Sequence, residues 1–244
     1  MRKHLSVFML YNRLLLYKVL AVLAGSAVLQ LAAYKASYGI LADRLDAHQP
    51  WVLPCLLIFL AAYVAVVLIC VGDTRSGSQF GYTLQRLRIS ENSVLLHHCA
   101  AASLAFLLLW MSQILICFGL AMLDRQSGLG AGGPQGMMMD LYRTQFLHSV
   151  IPLEDHWTLG RNLFYCLGAG ISCAAASLML RHGEKTYGSL ISLLLIQSSF
   201  VQSYSSAMER SVFFGIAVMI CAGLSLMYAS FEAHTGKKAS GYED

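Results

Sequence analysis

Six long apolar runs dominate this sequence and restrict what it can fold into. Each run has about 20 residues, the length that a helix needs to cross a hydrocarbon layer about 30 Å thick. The runs lie near residues 19–38, 51–71, 96–122, 163–180, 187–207 and 212–229. Of the 244 residues, 57 % are hydrophobic and only 12 % are charged, well below the charged share of soluble domains. The sequence therefore predicts an all-α integral membrane protein with six transmembrane helices, in a single domain covering residues 1–244.

The basic residues predict the orientation of these helices, because Lys and Arg are retained on the cytoplasmic side of a membrane. Residues 5–16 are interrupted by Arg13 and predict an interfacial helix before the first span. We expect a multi-pass protein of the plasma membrane with both termini in the cytoplasm. The net charge of +4 is explained by this topology. The predicted partner is therefore the lipid bilayer, and no nucleic acid partner is predicted. The N-terminal arm, the second and fourth loops and the C-terminal tail hold these basic residues: Arg2, Lys3, Arg13, Lys18, Arg75, Arg86, Arg88, Arg181, Lys185, Lys237 and Lys238.

The longest connection, residues 124–162, is expected outside the cell. It begins with a Gly-rich stretch, and residues 137–150 predict a helix that lies on the outer surface. Arg161 falls near the end of this loop and therefore before the predicted fourth span. The six predicted spans hold no Asp, Glu, Lys or Arg near their centres. Carriers driven by protons or sodium ions usually need such a group at mid-membrane, and the sequence therefore argues against that class of transporter.

The spans do contain uncharged polar residues, and two interpretations of them stay open. The first is hydrogen bonding between helices, and the second is the lining of a translocation path. The fourth span is instead rich in small residues, from Gly168 to Ser177, which predicts close helix packing. The polar residues assigned to a possible path are Gln30, Gln113, Gln197, Ser198, Gln202, Ser205 and Ser206.

No catalytic motif or metal site is predicted. The sequence contains no phosphate-binding loop, no zinc-protease motif and no hydrolase nucleophile motif. Polar residues of the outer loop, such as His148 and His156, do not form a set that would converge on one ion, and His97 with His98 is expected at the membrane interface. The seven cysteines lie in apolar runs without a Cys-x-x-Cys pair, which predicts small buried side chains.

The second loop contains the segment most suited to binding a soluble partner, residues 78–90. Leu84 and Leu87 are three positions apart and would share one face of a helical turn, while Arg86 and Arg88 would lie elsewhere on it. The charge distribution puts this segment in the cytoplasm. A short amphipathic helix that connects the second and third spans is therefore predicted.

This layout resembles the permease subunits of type-2 ABC transporters, in which six spans follow an interfacial helix. Gly81, Thr83, Leu84 and Leu87 match the Gly-Thr-Leu-x-x-Leu-like core of that family's coupling helix, with Tyr82 inserted. The resemblance implies an exporter built from two permease subunits, identical or different, and separate ATPase subunits. ATP and Mg²⁺ would bind the ATPases, with no cofactor and no enzymatic activity on this chain. The implied contact residues are Gly81, Tyr82, Thr83, Leu84, Gln85, Arg86, Leu87 and Arg88.

Two other classes of function are compatible with parts of the sequence. A six-span scaffold or accessory subunit that transports nothing would equally lack charged residues inside the membrane. An intramembrane enzyme fits less well, because the spans lack the paired catalytic side chains that such chemistry needs.

Overall fold

The computed structural model of the protein describes residues 2–37, 51–72, 91–126, 145–151, 156–181, 187–201 and 208–240. Every regular element in these ranges is a helix, in agreement with the predicted all-α class. The predicted coupling helix at residues 78–90 lies outside the described residues. The helices are α1 (Arg2–Ala36), α2 (Val52–Gly72), α3 (Glu91–Gln126), α4 (Gln145–Val150), α5 (His156–Arg181), α6 (Tyr187–Val201) and α7 (Met208–Ser240).

Five of these helices are long and apolar enough to cross a membrane, and the chain is a multi-pass membrane protein. The spans are Leu15–Ala36, Val52–Gly72, Ser93–Asp124, His156–Arg181 and Phe213–Phe231. The predicted fifth span, residues 187–207, corresponds to α6, which has 15 residues. A helix of that length covers about 22 Å, and the remaining residues of the predicted span, 202–207, are not described. The structure therefore supplies five of the six predicted spans at full length.

The N-terminal part of the chain differs from the prediction. Instead of an interfacial helix followed by a turn into the membrane, residues 2–36 form one helix of 35 residues. The physical reason is that the segment contains no Pro, and its first Gly is Gly25, so no residue before that point favours a break. At about 52 Å, α1 is longer than the hydrocarbon layer is thick, and its N-terminal turns extend beyond the span.

Helix α5 is the centre of the bundle. It packs most extensively against α7 and α3, and it also contacts α6 and α2. Of the 18 most apolar consecutive residues of its span, 72 % are buried, compared with 22–39 % in the other four spans. Its small residues permit these contacts, since a Cβ atom on Gly168 would lie 2.8 Å from Val218 Cγ1. The close packing predicted for this helix is confirmed.

Helix α5 begins at His156, seven residues before the predicted start of the fourth span. The prediction that Arg161 lies in an outer loop is therefore wrong, because Arg161 lies on this helix with only 2 % of its surface exposed. The predicted span begins only at residue 163, after this stretch of polar and charged residues. Polar character does not stop a helix, however, when its side chains find partners inside the protein.

Helix α4 covers only positions 145–150 of the predicted surface helix at residues 137–150, whose first part, 137–144, lies outside the described residues, and the described part is placed differently from the prediction. It is a short helix packed against α6, α3 and α2, and Leu147 and Val150 have no exposed surface. The buried apolar positions of segment 145–151 are 146, 147, 150 and 151, spaced as one apolar face of a helix. This face is buried in the bundle instead of resting on lipid headgroups.

Candidate functional site

Aromatic side chains fill the interior between α2, α3, α5 and α6. Together with Leu109, Cys166 and Ala169, they surround a cavity of about 10 Å³, close to the smallest volume that holds one water molecule. We call this group the aromatic chamber. Four helices contribute to it, so any movement of one helix against the others changes its size. Its aromatic members are Phe59, Tyr63, Phe106, Trp110, Tyr165 and Phe200.

The rings of the chamber are in contact with one another and with α4. Phe59 lies 5.9 Å from Phe146 of α4 and 6.0 Å from Phe200, measured between ring centroids. Phe200 lies 5.3 Å from Tyr165 with the two rings edge to face. These are the separations and orientations at which aromatic pairs attract each other. A continuous row of rings therefore connects α4 to α5.

Segment 145–151, which includes α4, is held in the bundle by side chains of two neighbouring helices. Asn162 Nδ2 donates to the Ser149 carbonyl oxygen at 2.9 Å, and Arg161 Nη2 donates to the same oxygen at 3.2 Å and to Ser149 Oγ at 2.9 Å. From α3, Trp110 Nε1 donates to the Val150 carbonyl oxygen at 2.9 Å. Carbonyl groups at the end of a helix have no partner within it, and these side chains supply one.

Arg161 lies where this segment meets the chamber. Its guanidinium carbon is 5.6 Å from the ring centre of Tyr165, and its Nε and Nη2 atoms donate to Asn162 Oδ1 at 3.4 and 3.3 Å. A charge inside a membrane protein is costly unless hydrogen bonds replace its hydration. The rigid fork of a guanidinium group bonds several acceptors at once, which Lys cannot do. The sequence predicts Arg161 in the outer loop and without a partner role, although its spacing of four from Tyr165 is a usable signal.

Two of the predicted path residues pair with each other across a helix interface. Gln30 Nε2 donates to Gln113 Oε1 at 2.8 Å, and Gln113 Nε2 donates back to Gln30 Oε1 at 3.0 Å. Gln113 also contacts Cys117 Sγ at 3.3 Å, and both glutamines are almost fully buried. Such a reciprocal amide pair joins α1 to α3, as the first interpretation of the polar residues predicts.

The other predicted path residues belong to the α6 region. Gln197 Nε2 donates from α6 to the Leu60 carbonyl oxygen on α2 at 3.3 Å, and the Tyr63 hydroxyl donates from α2 to the Leu193 carbonyl oxygen on α6 at 3.2 Å. Ser198 is exposed and bonds within its own helix. The structure therefore does not bring Gln197 and Ser198 together with the Gln30–Gln113 pair. Gln202, Ser205 and Ser206 lie outside the described residues.

The predicted ATPase contacts, residues 81–88, also lie outside the described residues, but the helix ends on both sides of that linker are described. His98 Nε2 donates to the Cys70 carbonyl oxygen at 3.1 Å, which joins the start of α3 to the end of α2. His98 is 1 % exposed, so it lies inside the bundle, while its place at the membrane interface stays a prediction. The burial of both groups favours this hydrogen bond, because no water competes for either atom.

The cysteines are all free thiols, five of them are buried, and Cys221 is exposed to the surroundings of the bundle. Among the described residues, no group of three His, Cys, Asp or Glu side chains has the arrangement of a metal site. The described part of the chain therefore offers a packed apolar chamber and hydrogen bonds between helices.

Comparison of this chain with protein-family models, with curated proteins and with solved structures gives no match. Function is therefore inferred from the chain's own residues.

Proposed function

We propose that this chain is the membrane-spanning permease subunit of an ABC exporter in the plasma membrane. In this proposal six helices cross the bilayer, both termini are cytoplasmic, and the chain pairs with a second permease subunit, identical or different. A separate ATPase, which binds ATP and Mg²⁺, docks on residues 78–90. The docking residues would be Gly81, Tyr82, Thr83, Leu84, Gln85, Arg86, Leu87 and Arg88.

The observation that carries this proposal is the junction between α2 and α3. The hydrogen bond of His98 to Cys70 ties together the two helices that flank the proposed docking linker. A partner that pulls on the linker would therefore act on both helices as a pair. Because the same two helices supply Phe59, Tyr63, Phe106 and Trp110 to the aromatic chamber, this movement would reach the interior of the bundle.

The transport step proposed here is a change in helix packing driven by closure of the ATPases. Separation of α1 from α3 would release Gln30 and Gln113 from each other, and separation of α2 from α6 would release Gln197 from Leu60. These side chains, with Ser198, Gln202, Ser205 and Ser206, would then line the path. In the closed arrangement their hydrogen bonds to one another and to the backbone lower the cost of burying them.

Replacement of Leu84 and Leu87 by Asp tests the docking site. We expect the wild-type chain, purified from its native membranes in mild detergent, to bring down a chain with a phosphate-binding loop. The L84D/L87D double variant should lose it, because two carboxylates cannot be buried in an apolar groove. The matched control, Ser78→Asp with Ser90→Asp, adds the same charge to the same linker at polar positions and should retain the ATPase. Equal retention by both double variants would contradict the proposed docking face.

A second candidate function is a scaffold that transports nothing, and the closed interior favours it. The chamber leaves a cavity of only about 10 Å³, and Gln30, Gln113 and Gln197 are engaged in hydrogen bonds. The two functions differ in ATP hydrolysis by the complex in lipid vesicles. Stimulation of hydrolysis by a transported compound is expected only of the exporter. An ATPase bound to a scaffold would hydrolyse ATP at the same rate with and without that compound.

A further inference from the structure

Helices α3 and α5 meet at Gly170, where their backbones come into contact. A Cβ atom added to Gly170 would lie 2.7 Å from the Cα of Ser103. Trp110 of α3 and Arg161 of α5 both bond segment 145–151, so the C-terminal part of α3 lies beside the N-terminal part of α5. The two helices are therefore antiparallel at this contact.

One helical turn from this contact, each helix carries a cysteine. Cys173 follows Gly170 by three positions, and Cys99 precedes Ser103 by four. Residues three or four apart share a helix face, and the antiparallel arrangement displaces both cysteines toward the same end of the bundle. Cys99 and Cys173 therefore lie next to each other across the α3–α5 interface.

A third cysteine joins them from the last turn of α2. The Cys70 carbonyl oxygen accepts the hydrogen bond from His98 Nε2 at 3.1 Å, which places Cys70 beside the residue that precedes Cys99. The thiols of Cys70 and Cys173 share a hydrogen bond. We call Cys70, Cys99 and Cys173 the thiol cluster.

The members of the thiol cluster differ in their exposure. Cys70 and Cys173 have no exposed surface, whereas Cys99 is only partly buried. A small reagent from the surroundings of the bundle therefore meets Cys99 first, and the two buried thiols lie behind it. An accessible thiol with a second thiol next to it is the arrangement that responds to oxidants.

We propose that the thiol cluster is a site of oxidation by hydroperoxides, in which Cys99 reacts first and a disulfide between Cys70 and Cys173 is the final product. This disulfide joins α2 to α5, the central helix of the bundle. The inference goes beyond the proposed function and does not depend on an ATPase partner, because it concerns only the packing of α2, α3 and α5.

The reaction has three steps. The Cys99 sulfur, as thiolate, attacks one peroxide oxygen, the O–O bond breaks, and the hydroxide that leaves takes up the Cys99 proton to form water. The Cys173 sulfur then attacks the sulfenic acid of Cys99, the S–O bond breaks, and a second water forms with the Cys173 proton. In the third step the Cys70 sulfur attacks Cys173, and Cys99 leaves as a thiolate that takes up the Cys70 proton. Two thiols and one peroxide give one disulfide and two waters.

Peptide mapping of the full-length protein in lipid vesicles tests the product. The vesicles are treated with hydrogen peroxide, free thiols are blocked with N-ethylmaleimide in denaturant, and the digest is examined by mass spectrometry. We expect a peptide that links Cys70 to Cys173, with buried Cys166 still reduced. Oxidation of the exposed Cys221 shows that the oxidant is active. Cys70 and Cys173 reduced while Cys221 is oxidised, or equal oxidation of Cys166, overturns the proposal.

Two variants test the order of the steps. Cys99→Ser should form the Cys70–Cys173 link about tenfold more slowly, because peroxide must then reach thiols that are fully buried. Cys70→Ser should stop the reaction at a Cys99–Cys173 disulfide. The control, Cys221→Ser, removes a more exposed thiol and should react as the wild type does. An unchanged rate in Cys99→Ser, or no Cys99–Cys173 link in Cys70→Ser, overturns the assignment of Cys99 as the first thiol to react.

Thermal unfolding tests whether the disulfide joins the helices. A disulfide restricts the unfolded chain, so peroxide treatment should raise the unfolding temperature of the wild type by at least about 5 °C, and dithiothreitol should reverse the shift. Cys173→Ser, which can form neither disulfide of the proposed sequence, should show no shift. No shift in the wild type, or an equal shift in Cys173→Ser, overturns the link between α2 and α5.

Discussion

Gly170 shows how a single missing side chain sets the distance between two helices. A Cβ atom at this position would lie 2.7 Å from the Cα of Ser103 on α3, a separation that real Cβ contacts do not adopt. The obstacle is backbone, which cannot rotate away as the end of a side chain can. The close approach of α3 and α5, and with it the position of Phe106 and Trp110 in the chamber, therefore requires Gly at this position.

Replacement of Gly170 by Ala should destabilise the bundle by about 1–3 kcal/mol, because α3 must move away from α5. The same change at Gly160, also on α5, meets no atom within 4 Å and should be neutral or stabilise by up to about 1 kcal/mol through helix propensity. Thermal unfolding of both variants in detergent measures the difference. If Gly170→Ala unfolds at the wild-type temperature, the α3–α5 contact is looser than described.

The side chain of Arg161 marks the limit of sequence reasoning at this scale. The sequence places it in the predicted outer loop, and nothing in the sequence shows that Ser149, twelve positions earlier, supplies a hydroxyl and a carbonyl oxygen to it. The bonds of Gln30 and Gln113 could be predicted as a type but not as a pair, since the partners are 83 residues apart. Composition indicates which groups need partners, and only the packing decides which partners they find.

At the scale of the helices, the reciprocal pair of Gln30 and Gln113 is a clamp between α1 and α3. Replacement of either residue by Leu leaves a buried amide without its partner and should cost about 1–2 kcal/mol. The Gln30→Leu/Gln113→Leu double variant should recover much of this loss, because both polar groups are removed together. Unfolding of the four proteins by denaturant in mixed micelles gives the coupling energy. Additive losses would show that the pair contributes nothing as a pair.

The long apolar helices and the start of α6 at Tyr187 could be predicted from the sequence, whereas the position of α4 in the bundle could not. Four of the five full spans begin and end within a few residues of the apolar runs, because hydrophobic length and backbone hydrogen bonding leave a membrane chain few alternatives. The fourth span was predicted too short at its start, since its first turns contain Arg161 and Asn162. Helix α4 has six described residues. Its position in the bundle depends on hydrogen bonds donated by Trp110, Arg161 and Asn162, which belong to other helices.

For the whole molecule, the parity of the membrane crossings remains a prediction. Six crossings place both termini on the same side, whereas five place them on opposite sides, and the difference depends on α6 and the residues after it. We expect a reporter that is active only in the cytoplasm to function when fused before Met1 and also when fused after Asp244. A reporter inserted after residue 132, in the predicted outer loop, serves as the control and should be inactive. Activity at only one terminus would exclude the six-span topology.

The central position of α5 has a consequence for the order in which the protein is assembled. This helix contains Arg161 and Asn162 and a long series of small residues, so on leaving the insertion machinery it gains little from lipid. Its largest contact is with α7, which is synthesised later than α5. Until α7 arrives, one side of α5 has no permanent neighbour. Truncation of the chain before α7 should therefore expose α5 to membrane quality control, so the synthesis of α7 decides whether α5 is retained.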